Sequence, residues 1–81
     1  MTFRELLRVI NKDTIATVNG LVYLEEDNSY YMARTLLAKT RIGNWIFTQR
    51  MLDQRVKSIE NSIEDGIPVL VINVIEWVTK L

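Results

Sequence analysis

Neither cysteine nor histidine occurs among the 81 residues, which include one proline and three glycines. Without cysteine there is no disulfide framework, zinc ribbon or thiol nucleophile. Without histidine the commonest general base is missing, and with it every Ser-His or Cys-His arrangement. Glycine is too sparse for a phosphate-cradling loop: Gly20, Gly43 and Gly66 stand apart, each explicable as a turn or helix stop. No Walker lysine or Gly-x-Ser-x-Gly elbow is present. The pair Glu64-Asp65 suits a turn better than a catalytic dyad. The composition predicts a chain that is not an enzyme and that takes no cofactor or metal.

Long apolar runs are also lacking. No uncharged stretch, IPVLVINVI included, approaches the roughly 20 residues of a membrane helix. The start MTFRELLRVI carries an acid in its first turn and is not a signal peptide. The expectation is a soluble, cytoplasmic protein without a membrane partner. Its length makes 1–81 a single small domain able to bury about 60 to 65% of its unfolded surface. With 48% hydrophobic and 25% charged residues it is a folding chain rather than a disordered one.

Thr2-Phe3-Arg4-Glu5 is a capping box, so a helix starts at Phe3, with Phe3, Leu6, Leu7 and Ile10 as its apolar stripe and Asn11 as a left-handed stop. In TIATVNGLVYLEE, Asn19-Gly20 lies between two β-prone runs and predicts a type I′ hairpin in which Val18 faces Leu21 and Ala16 faces Tyr23. Glu25-Glu26-Asp27-Asn28-Ser29 then reads as a solvated turn, because it lacks the spaced ligands and glycine of a calcium loop. Ser29 is placed to cap a second helix through about Lys39, with Met32, Leu36 and Leu37 on one side and Gly43 as its end. Trp45-Ile46-Phe47 suits a strand or a helix start equally.

The stretch MLDQRVKSIENSIEDG, residues 51 to 66, has two readings. Leu52, Val56, Ile59 and Ile63 form a helical stripe, with Gly66 and Pro68 as a stop. The same letters alternate in part from Val56 to Ile63, and an Asp-Gly turn leads into IPVLVINVI as a partner strand. Glu5, Leu6, Leu7, Val9, Ile10, Asp13 and Thr14, then Leu52, Asp53, Val56, Ser58 and Ile59, then Leu70, Ile72 and Val74 make a pattern ELLxVI…DT…LDxxVxSI…LxIxV. In these residues, about half the chain, the sequence resembles small uncharacterised proteins carried by phages and prophages of Gram-positive bacteria. Residues 28 to 48 are longer than that pattern. The resemblance implies a closing hairpin, Val56 to Ile63 with Pro68 to Ile75, and no activity. It favours the hairpin, with the helix as the alternative. The fold class is then α+β, a small, mostly antiparallel sheet with two helices packed on one face.

The last strand has two apolar faces, Ile67, Val69, Val71 and Ile75 on one and Leu70, Ile72 and Val74 on the other, and two short helices cover only one. The bare face, with Val69 and Val71 on it and Trp45, Phe47 or Trp77 at its edge, is the candidate protein interface, and the simplest occupant is a second copy in a two-fold homodimer. The plainer alternative is that the middle segment folds over it. Charge is uneven as well: residues 31 to 57 hold six basic residues, Arg34, Lys39, Arg41, Arg50, Arg55 and Lys57, and one acid, a local +5 that the rest of the chain balances. Interleaved with aromatic rings, they are the candidate nucleic-acid surface. A pI of about 6.2 speaks instead for cations paired with Glu25, Glu26, Glu60 and Glu64. The first reading is therefore a non-enzymatic protein-binding module, acting on a host or phage protein if the resemblance holds. The alternative is a weak nucleic-acid binder.

Overall fold

The computed structural model describes residues 1–24 and 26–77, without the side chains of Met32, Ala33, Arg34, Leu36, Leu37, Glu76 and Trp77. The chain begins as its cap dictates. The Glu5 N–H donates to Thr2 Oγ1 at 3.2 Å, the Thr2 N–H donates to Glu5 Oε1 at 3.0 Å, and helix α1 runs Phe3–Val9. Its buried residues are Phe3 and Leu6, with Leu7 and Ile10 packed beside them. Asn11 is not the left-handed stop expected of it. The helix ends at an extended Ile10, and the Asn11 side chain instead accepts from the Asp13 N–H at 2.8 Å.

Four strands follow: β1 (Ile15–Leu24), β2 (Ser29–Arg41), β3 (Arg55–Glu64) and β4 (Ile67–Trp77), with a 3-10 turn at Ile42–Asn44 and a one-turn helix α2 (Gln49–Leu52) between β2 and β3. Their spatial order is β2-β1-β4-β3. The two outer pairings are antiparallel, while β1 and β4 at the centre are parallel. The fold is α+β with a mixed sheet.

Two expectations fail here. Asn19-Gly20 is not a turn: it lies inside β1, which runs straight through, so Ala16 pairs with Thr40 rather than Tyr23, and Val18 with Leu37 rather than Leu21. The only glycine with positive φ among the described residues is Gly66. What makes Asn19 a strand residue is its partners. Its amide donates to Asn73 Oδ1 at 3.2 Å and accepts from Thr35 Oγ1 at 3.1 Å, and Asn73 donates on to Ser58 Oγ at 2.8 Å. One side-chain hydrogen-bond row therefore crosses all four strands, Thr35 on β2, Asn19 on β1, Asn73 on β4 and Ser58 on β3. Local turn preference loses to a buried amide that only a strand can satisfy.

The second failure is the middle helix: residues 29 to 41 are strand β2, not a helix capped by Ser29. The thirteen residues of β2 lie against the ten of β1, and three register shifts absorb the difference. At one of them Lys39 takes φ +46° and its N–H donates to Thr17 Oγ1 at 3.2 Å. Each extra residue reverses the inward-outward alternation. A strand bulged three times no longer shows a period of two, so its apolar residues imitate a helical stripe.

The closing hairpin is as the sequence favours. Asp65 and Gly66 have φ +52° and +76°, the positive values a two-residue type I′ loop requires, and Glu64 pairs with Ile67 across them. Residues 49 to 52 keep only a single helical turn, capped by Thr48, whose side chain accepts from the Met51 N–H at 3.3 Å. Arg4 links α1 to α2 by bonding Asp53 and Gln49, each at 2.5 Å. Gly43 allows the chain to return beside α1: its N–H donates to the Lys12 carbonyl at 2.8 Å, and a Cβ there would lie 2.5 Å from Lys12 Cβ.

The core sits on one side of the sheet, where Phe3 and Leu6 meet Ala16, Val18, Ile42, Ile72 and Val74, and where Met51, Leu52 and Val56 also pack. The other side is closed by curvature. In a flat sheet β2 and β3 would stand about 14 Å apart, three spacings of about 4.8 Å. Yet the Lys57 ammonium of β3 lies 4.7 Å from the Tyr30 ring of β2, and Lys39 of β2 lies 3.8 Å from Asp65 in the β3–β4 turn. The sheet curls about the side that carries Asn19 and Asn73, and Val69 and Ile75 are buried there at 3% exposure each.

Two outcomes follow for stability. Asn19→Val or Asn73→Val strands a buried amide and lowers unfolding free energy by about 1–3 kcal/mol; the double replacement costs less than the sum, as urea unfolding of all four proteins measures. The backbone N–H and hydroxyl of Thr2 hold the Glu5 carboxyl below its ordinary value of 4.5. Its contribution is thus present at neutral pH and lost as pH falls below about 4.5, so the melting temperature of Glu5→Gln declines less on acidification than that of the parent.

Candidate interaction surface at the hairpin edge

Strand β3 is the last strand of the sheet, and only its first residues have an outer neighbour. The Phe3 N–H donates to the Gln54 carbonyl at 2.8 Å, the Val56 N–H donates to the Met1 carbonyl at 2.9 Å, and Thr2 bridges Arg55 in antiparallel fashion. From Ser58 to Glu64 no strand lies against the outer edge among the described residues. Backbone donors and acceptors on such an edge are a template for another strand.

On the helix side this edge carries Ile59, Asn61 and Ile63. Ile59 pairs with Ile72 and Ile63 with Pro68, so both isoleucines continue the surface whose inner part is the core. Beyond the reach of α1 they are uncovered, Ile59 at 43% and Ile63 at 75% exposure. Next to Ile63 lies an open depression of about 480 Å³ lined by Thr14, Ile15, Asn61, Ser62, Pro68, Val69 and Leu70. A second, of about 270 Å³, adjoins the turn between Lys39, Glu64, Asp65 and the exposed Ile67. On the opposite side of β3 stand the polar residues Ser58, Glu60, Ser62 and Glu64.

The interface residues chosen from sequence do not come together. Phe47 belongs to the helix side, where its ring meets Phe3 edge-on with centroids 4.8 Å apart. Trp45 is exposed, with its indole N–H donating to Thr40 Oγ1 at 2.7 Å. Val69 and the half-buried Val71 lie on the opposite, inward-curled side of β4 and are covered by the chain itself. The Trp77 side chain lies outside the described residues. The reason is the curl: a sheet bent on itself closes the face that a flat sheet would leave bare. Ile59 and Ile63 were missed as a surface, although their spacing of four on an alternating strand places them on one face.

The basic residues are spread over several elements. Lys39 and Arg41 are on β2, Arg50 on α2, and Arg55 and Lys57 on β3, while the Arg34 side chain is not described. Lys39 faces Asp65, and Lys57 covers the Tyr30 ring, which in turn meets the Tyr23 ring at a tilt of 42° with centroids 4.7 Å apart. The expected turn after β1 is present at residues 26 to 28, Glu25 lying outside the described residues, and Asn28 at its end, with φ +49°, accepts from the Tyr23 hydroxyl. Among the described residues no group of three or more acidic side chains is placed to hold a metal ion, and no helix is long and apolar enough to cross a membrane. Compared with protein-family models, curated proteins and solved structures, the chain matches none.

Proposed function

We propose that this is a cytoplasmic, non-enzymatic protein-binding module whose contact surface is the β3–β4 hairpin. The observation that carries this reading is the pairing of an open strand edge with two exposed isoleucines on it, Ile59 and Ile63. Backbone hydrogen bonds along an edge supply affinity, and side-chain pockets beside it supply selectivity, as in strand-addition recognition generally. The depression beside Ile63 is such a pocket, with Ile15, Pro68, Val69 and Leu70 as apolar lining and Thr14, Asn61 and Ser62 as polar lining. The resemblance to small phage and prophage proteins points to a host or phage protein as the partner class.

A surface of this kind binds through apolar burial, which salt does not screen. Association measured with a captured partner at low and at high salt is therefore the same within a few-fold, and Ile63→Lys abolishes it while leaving the fold intact. Binding that instead collapses with salt, and with Arg41→Glu or Arg50→Glu, while Ile63→Lys is silent, contradicts this reading and favours a nucleic-acid surface over the basic region.

A further inference from the structure

We propose that two copies of this chain join edge to edge through β3, antiparallel, about a two-fold axis at Asn61, so that two four-stranded sheets become one. This rests on the hairpin being a binding surface and specifies its partner as a second copy. The limits of the free edge fix the axis. Met1–Phe3 occupies the edge at Arg55 and Val56, and at the other end the Asp65-Gly66 loop turns the chain away. What remains runs from Ser58 to Glu64, and its midpoint is Asn61.

Pairing about that midpoint sets Ile59 opposite Ile63 of the second copy, and Ile63 opposite its Ile59. Two exposed apolar side chains per copy thus become two cross-strand pairs on the helix side, contiguous with both cores. On the other side Glu60 meets a serine, Ser62, and Glu64 meets Ser58, so no carboxylate faces a carboxylate. Lys57 meets Asp65 just beyond the ends; Lys57 sits at a bulge over Tyr30, so the isoleucine pairs dominate the register. Neighbouring registers that keep the helix sides together are worse. A shift toward the turn sets Glu60 against Glu64 and Ile63 against Asn61. A shift the other way sets Glu60 against itself and Ile59 against Asn61. Like charges directly opposite are destabilising.

The cysteine-free chain makes the register directly testable. Solution mass by light scattering is expected to be that of two chains, falling to one for Ile59→Lys/Ile63→Lys, with unchanged circular dichroism because both side chains are exposed. Among single-cysteine variants treated with a short bismaleimide, Asn61→Cys is expected to cross-link to completion, and Asp27→Cys, at the far side of the sheet, to stay single. A one-chain mass at every concentration overturns the dimer, and if another protein is still captured in an Ile63-dependent way the hairpin reading survives without it. A two-chain mass in which Asn61→Cys cross-links no faster than Asp27→Cys overturns the β3 joint.

Discussion

The architecture depends on one buried contact, the amide pair between Asn19 and Asn73. Both side chains are enclosed, Asn19 at 5% exposure, and each is satisfied only when β1 lies parallel to β4 with these two residues side by side. A slip of one residue would break the bond between the two amides, leaving a buried donor on Asn19 and a buried acceptor on Asn73 unmatched at about 1–3 kcal/mol each, and would turn either Val18 or Ile72 away from the core. That is a large share of the roughly 5–15 kcal/mol by which such a domain is stable. The pair joins residues 54 apart in sequence, so it selects a topology in which the first and last strands are neighbours and β2 and β3 hang on either side.

Curvature follows from that arrangement and decides what surface is presented. With three extra residues in β2 and one in β3, both flanking strands are bulged, and bulges bend and twist a strand. The bent flanks approach one another through Lys57 and Tyr30, enclosing Val69, Asn73 and Ile75 without a third layer. A chain of 81 residues with two short helices therefore buries both sides of its central strand. What it cannot enclose is the outer rim of β3, where the helix layer ends. The apolar surface left there is a product of how the sheet closes, and it differs from the aromatic-edged face inferred from strand patterning.

The parts legible in the sequence are those governed by neighbours. The Thr2–Glu5 box positions α1, and Asp65-Gly66 with alternation on both sides gives the β3–β4 hairpin. The parts that were not legible depend on distant partners. Asn19-Gly20 is a strong turn signal on its own, and only Asn73, far along the chain, converts it to strand. Residues 29 to 41 hide their alternation behind three bulges, each of which exists because β1 lies alongside. The same logic applies to the site. Val69 and Val71 are apolar strand residues, yet which side of β4 remains open is a property of the whole sheet, and Phe47 packs against the core through Phe3.

The most direct test of this account is nuclear magnetic resonance of the Asn19 and Asn73 side chains. Their amide protons are expected to exchange slowly with solvent, and contacts across the sheet to join Asn19 to both Asn73 and Thr35. Rapidly exchanging Asn19 amide protons, together with contacts between Val18 and Leu21 of the kind a turn at Asn19-Gly20 would produce, would contradict it.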